Sequence, residues 1–270
     1  MFQYALGRHL TELGKNIKYD LSYFESHPEH YFGLERFGLQ LPKAKRNDVL
    51  CFLEDRHRII DRLRRKLFGR RPYVFSEINE SIYIFRPEVF EFSKGFINGY
   101  WQSEKYFADI AEIINGEFTF PISTDSRNNI LAEEMQKCTS VSIHVRRGDY
   151  LGGFPVLDEA YYSPAMQYFQ KKFNDVHFYV FSNDIPWCKD HFNSSRLTFV
   201  DWNTGDDSIF DMWLMTQCKH NIIANSSFSW WGAWLNQHSN KEVIAPSIWF
   251  NHAQTPDIYA KGWTVLSIEK

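Results

Sequence analysis

Residues 142–150 read SIHVRRGDY, a short apolar run that ends in His144, Arg146, Arg147 and Asp149, with Gly148 among them. In a β-strand successive side chains alternate between faces, so Val141, Ile143 and Val145 share one face while Ser142, His144 and Arg146 share the other. A guanidinium offers a planar fork of N–H donors that can grip phosphate oxygens two at a time. Two arginines and a histidine at a strand end therefore suit a diphosphate. The same residues equally suit an ion-pair cluster with Asp149, and these nine positions do not choose between the two.

A second segment bears on the choice. Residues 221–235 read NIIANSSFSWWGAWL, a strand that runs through Asn225, Ser226, Ser227, Phe228 and Ser229 into a helix. Free backbone N–H groups and the helix dipole favour an anion at such a start. Ordinary N-capping by serine is the competing explanation. Two anion-suited strand ends in one sheet strengthen each other.

Several chemistries lack their residues. There is no GxxxxGK[ST] loop, no GxGxxG after a strand and no GxSxG elbow, so neither ATP phosphoryl transfer, a dinucleotide site nor an acyl-transfer serine is supported. No DxD triplet is present to hold a metal beside a sugar nucleotide. If a diphosphate departs from this site, Arg146 and the helix N-terminus must carry its charge, and no metal or other cofactor is expected.

The elements that would position these groups alternate. Strands are expected at Val141–Val145, His177–Phe181, Leu197–Val200, Asn221–Ala224 and Glu242–Ala245, with helical patterns between them, including one from Asp206 or Asp207 through Cys218 and one over Ser229–Gln237. Repeated βα units of this kind predict a parallel, doubly wound sheet with its ligands at the carboxyl ends of the strands. The first half is less regular. Residues 1–14 read as a helix ended by Gly14, and Ile17–Leu21 as a strand. An α/β domain normally supplies a strand before its first helix. The turn-rich segment 115–129 is the natural break between halves.

Composition limits the partners. The 270 residues carry 30 Lys and Arg against 33 Asp and Glu, a net charge of −3, which argues against general nucleic-acid binding. Residues 56–71, RHRIIDRLRRKLFGRR, form a basic helical stretch that suits either a solvated face or peripheral contact with an anionic membrane. No run of about eighteen apolar residues and no signal-peptide core is seen, so a cytoplasmic chain is expected. Cys51, Cys138, Cys188 and Cys218 form no CxxC pair and read as reduced structural residues. Aromatic residues make up 17% of the chain, which suits either sugar-handling surfaces or an aromatic-rich core.

Together, HVRRGDY at 144–150, FSND at 181–184 with Trp187, LMTQCKHNIIANSSFSWWGAWLN at 214–236 and MFQYALGR at 1–8 resemble the bacterial α-1,2-fucosyltransferases of glycosyltransferase family 11. The resemblance implies an α/β, GT-B-like fold of two Rossmann-type domains. Residues 1–128 would form the acceptor-side domain, and residues 129–270 the domain that binds the donor. It implies GDP-β-L-fucose as donor, the 2-hydroxyl of a galactose-ended glycan as acceptor, inversion at the fucose carbon and no metal. Arg146 falls on the first arginine of the HxRRxD motif, the expected contact with the departing diphosphate. His144 is expected near the guanosine, Asp211 at guanine, and Asn225, Ser226, Ser227, Phe228 and Ser229 along the donor. Arg147 and Asp149 belong to the motif as donor contacts or as supports of Arg146. Asp149, Asp158 and Glu159 are the carboxylates nearest in sequence that could act as base. The family's glycine-rich segment and first strand are expected just ahead of Met1. Without them, the alternative is a GDP-sugar or glycan binder with weak catalysis.

Overall fold

The computed structural model describes residues 1–27, 32–53, 59–68, 73–77, 84–251 and 255–268. Its contacts divide the chain into two units, Met1–Glu117 and Phe118–Lys270. The division falls within the turn-rich 115–129 segment, whereas a boundary at 128/129 falls inside a helix, Ser126–Lys137.

In the first unit the expected N-terminal helix forms over Phe2–Glu12, burying Phe2, Ala5, Leu6, His9 and Leu10 along one stripe. Gly14 follows in the left-handed region, at φ 80°. The strand expected over Ile17–Leu21 is corrected to one isolated parallel bridge, Tyr19 with Lys43. Pro42 accepts from the Tyr19 N–H but has no N–H to return, which limits the pairing there. Of a Rossmann-type sheet, the described residues present the parallel pair β1 (Val74–Ser76) and β2 (Phe96–Asn98). Beyond β1, the buried Glu77 carboxylate accepts from the N–H groups of Tyr100 (2.6 Å) and Trp101 (2.9 Å). These bonds hold Trp101 at φ 57°, a conformation rare for a bulky residue.

The second unit fulfils the alternating pattern. Strands β3 (Thr139–Val145), β4 (Val176–Ser182), β5 (Leu197–Val200), β6 (His220–Ile222), β7 (Val243–Pro246) and β8 (Thr264–Leu266) form one parallel sheet in the order β5-β4-β3-β6-β7-β8. Strand β8 went unexpected because it is three residues long, at the sheet edge, with two exposed side chains. On one face Val141, Ile143 and Val145 pack with Tyr161, Tyr162 and Phe169 of the Glu159–Lys172 helix and with Cys188 of Ile185–His191. On the other, Tyr179 and Phe181 meet Leu131 and Met135 of Ser126–Lys137 and Leu214 and Met215 of Ser208–Gln217. Each fully buried large apolar side chain contributes about 1.5–3 kcal/mol of transfer free energy. The unit is thus an α/β sheet with helices on both faces.

The strand order fixes where a ligand can sit. Chain order reverses between β3 and β6, so their following connections leave toward opposite faces and open a crevice at their carboxyl ends. SIHVRRGDY and NIIANSSFS end at that reversal.

Candidate functional site

Strand β3 stops at Val145, and the chain turns through a short 3-10 helix, Gly148–Gly152. The Arg146 guanidinium donates from Nη2 to Asp149 Oδ2 (2.8 Å) and lies 5.7 Å from the centre of the Tyr150 ring. About a third of its side chain is exposed (34%), while Nε is buried with no hydrogen-bond partner. A buried guanidinium donor left unpaired is a strong demand for an acceptor. Arg147 is engaged elsewhere: its N–H donates to Asn183 Oδ1 (3.0 Å), its Nε to Asp184 Oδ2 (3.3 Å), and its guanidinium stacks 4.1 Å from the Trp187 ring. Asn183 Nδ2 also donates to Asp149 Oδ1 (3.1 Å). Asp149 is therefore a bracket between Arg146 and Asn183. Gly148 lies close enough that a Cβ there would stand 2.8 Å from Asn183 Nδ2.

His144 is buried on the face that Arg146 shares, and its ring centre is 5.5 Å from that of Phe228. Burial, aided by the nearby Arg146 charge, pulls its pKa down to about 3, so the imidazole is neutral. Its Nδ1 is buried without a hydrogen-bond partner.

After β6 the Ser227–Trp234 helix begins with Ser226 as its N-cap, the Ser226 hydroxyl accepting from the Phe228 N–H (3.4 Å). Ser229 is fully buried and its hydroxyl donates back to the Ser226 carbonyl (3.3 Å). Those two hydroxyls thus build the turn, while Ser227 stands exposed at the first helical position. Asn225 is buried, and its Nδ2 donates to the carbonyls of Pro155 (3.0 Å) and Trp249 (3.2 Å), leaving Oδ1 without a partner. An amide nitrogen used in this way ties two loops together rather than gripping an anion. Tyr150 joins the two strand ends, since its hydroxyl donates to the Asn225 carbonyl (3.2 Å).

Asp211 occupies the first turn of Ser208–Gln217. Asn203 Nδ2 donates to its Oδ1 (2.9 Å), and Asn203 is held in turn by Asn128. Burial nonetheless pushes the carboxyl up to about 7. A half-buried acid poised near neutrality, braced by a neutral amide, can accept from paired N–H donors such as those of guanine.

Of the carboxylates considered as base, Asp149 is committed to Arg146 and Asn183, and Asp158 caps the Glu159–Lys172 helix through Ala160 N (3.0 Å). Glu159 is exposed in the first turn of that helix. The sequence patterns alone do not single out Tyr150, Asn183 and Asn203 as site residues. Tyr150 and Asn183 lie inside the quoted motifs, but only the fold reveals their bonds to Asn225, Arg147 and Asp149.

Residues 80–267 match the family model described as glycosyl transferase family 11. The α-1,2-colitosyltransferase of Escherichia coli is 32% identical over 94% of this chain and 89% of its own length. The Escherichia coli O-antigen biosynthesis glycosyltransferase WbnK is 38% identical over 43% of this chain and 40% of its own. Human galactoside α-(1,2)-fucosyltransferase 1 is 32% identical over 52% of this chain and 42% of its own. Among solved structures, NodZ α-1,6-fucosyltransferase soaked with GDP-fucose aligns over 52% of this chain and 51% of its own, with a TM-score of 0.35 and 16% identity. The family match over most of the chain, together with a relative aligned nearly end to end, establishes that this protein belongs to glycosyl transferase family 11.

Proposed function

We propose that the chain transfers L-fucose from GDP-β-L-fucose to the 2-hydroxyl of a galactose-ended glycan, with inversion and without a metal. The acceptor oxygen attacks the sugar's anomeric carbon, the bond to the β-phosphate oxygen breaks, and its electron pair leaves with GDP. The hydroxyl proton is lost to solvent or to a carboxylate. Charge grows on the departing diphosphate, so the group most valuable to catalysis is a fixed cation beside it. Arg146 fills that role, with the N-terminus of Ser227–Trp234 as second partner. Neutral His144 and Asp211 take the guanosine.

The observation that carries this reading is the unpaired Arg146 Nε at the β3 end, beside the β3/β6 reversal. The test is transfer from GDP-fucose to lactose in the presence of EDTA, run with a colitosyl donor in parallel because a relative carries that name. Fucose transfer that EDTA leaves intact and Arg146→Ala abolishes is the expected result. Transfer of colitose alone would move the donor assignment. GDP binding with neither transfer would favour a binding protein.

The chain is further proposed to work in the cytoplasm, at an anionic membrane surface. No helix among the described residues is long and apolar enough to cross a membrane. The Ile59–Phe68 helix, however, exposes Ile59, Ile60, Leu63 and Leu67 along one arc, which Arg62 and Lys66 flank. Residues 56–58 and 69–71 of the basic stretch lie outside the described residues.

A further inference from the structure

Beyond the carboxyl end of β7, within the second unit, an open cleft of about 770 Å³ lies between the loop before the Glu159–Lys172 helix and the loop after β7. That volume is within the range of small-molecule sites. Its walls include the rings of Phe154, Trp249, Phe250 and Tyr259, with Asn251 and Thr255 between them. None of the residues named so far has a role in the proposed transfer.

Three observations say what the cleft takes. Among the described residues that line it only Asp158 carries a charge, and that charge is negative. An anion such as a diphosphate is disfavoured there. Aromatic faces interleaved with hydroxyl and amide groups match a pyranose ring, which presents C–H faces and hydroxyl edges. Phe154 supplies such a face, since 47% of it remains exposed.

The cleft is also wired to the Arg146 cradle. The Arg146 guanidinium lies 5.7 Å from the Tyr150 ring, Tyr150 stacks on Phe154 at 4.8 Å, and Phe154 meets Phe250 at 6.0 Å. Asn225 Nδ2 donates to the carbonyls of Pro155 and Trp249, one on each wall, and so ties the two walls together.

We infer that this cleft is a carbohydrate subsite that holds hexopyranose rings of the acceptor glycan; the acceptor role rests on the transferase reading above. The donor sugar hangs from the diphosphate at the β3/β6 crevice, whereas this cleft opens one strand further along and is neutral to negative. Asn225 is then a positioning residue shared by the two sites.

Two measurements on the full chain test the inference with lactose, N-acetyllactosamine and GDP-fucose as probes. In kinetics, Phe154→Ala should raise the acceptor KM about tenfold, in line with the loss of one ring contact, with donor KM and GDP affinity unchanged, and Phe154→Tyr should restore it. A rise in donor KM alone would assign the rings to the donor sugar and overturn the proposal, as would no change in either KM. In NMR titrations of the GDP-saturated chain, lactose should shift the Trp249 indole signal, and Phe154→Ala should weaken that shift. Lactose binding that leaves Trp249 untouched, or no glycan binding at all, would overturn it. A chain that transfers neither fucose nor colitose yet gives the lactose shift would refute the transferase reading while keeping the subsite.

Discussion

His144 and Phe228 stand ring to ring, 5.5 Å between centres, although one is the second-last residue of β3 and the other lies in the first turn of the helix after β6. The contact joins the two anion-suited segments of the sequence at the point where strand order reverses. A neutral His144 packed on an aromatic ring has no spare proton to give as an acid at physiological pH.

Arg146→Ala is expected to lower kcat by a hundredfold or more, as removal of one transition-state charge partner typically does. GDP affinity should fall by a smaller factor, because part of the interaction develops only as the bond breaks. Steady-state kinetics with calorimetry reads both. The melting temperature should hardly move, since the side chain is a third exposed and its ion pair among the described residues is the exposed one with Asp149.

Asp211→Asn separates function from stability. The acid ionises near 3.8 when unfolded and near about 7 when folded. Its protonated form is therefore favoured by folding. The stabilisation is complete below about pH 4 and is lost as pH rises through about 7. At about pH 8 the ionised group opposes folding, so Asp211→Asn should stabilise by about 2 kcal/mol there and by almost nothing at about pH 3.5. Thermal melts at the two pH values check the sign. GDP affinity of the wild type should rise about tenfold between about pH 6 and about pH 8 as the carboxylate forms, and the variant should lose that dependence.

Gly148→Ala should act on activity more than on stability. The added methyl would stand 2.8 Å from Asn183 Nδ2, which must swing away and release Asp149. With its bracket loosened, Arg146 is held less well, and kcat should fall about tenfold, since catalysis depends on fixed geometry. The displaced group is the end of an exposed side chain, so thermal stability should stay within about 1 kcal/mol. A large loss of stability with kcat per folded molecule unchanged would contradict this.

Asn225→Ala removes the donor shared by Pro155 and Trp249. The cost is expected at about 2 kcal/mol, because two carbonyls lose their partner. Asn225→Asp should cost at least as much, since a carboxylate facing those carbonyls repels them. Urea unfolding of both variants checks the order.

Leu63→Glu and Leu67→Glu should each reduce co-flotation of the chain with phosphatidylglycerol vesicles, and raised salt should reduce it for the wild type. Binding that both substitutions leave intact would place the membrane contact elsewhere. GDP affinity should be the same in all three proteins.

The sequence by itself determined most of the second unit, because strand and helix periods there are unmixed and the strand ends are marked by polar residues or, at Pro246, by proline. Five of its six strands, and the two segments that meet at the crevice, were legible in this way. The first unit was legible only in its N-terminal helix, since the strand signal at Ile17–Leu21 collapses to one bridge beside Pro42 and Glu77 stabilises a backbone turn at Trp101 that no local pattern announces. Only the tertiary structure decided which motif residues keep an unpaired hydrogen-bonding group. Arg146 and Arg147 are adjacent in the chain and alike in type, yet one is left with an unpaired donor at the crevice while the other is consumed by Asp184, Asn183 and Trp187. Likewise Asn225 reads as a phosphate donor until the loops of Pro155 and Trp249 arrive to take its amide. The physical reason is that a side chain's hydrogen-bonding capacity is finite, and the partners that exhaust it come from segments distant in sequence.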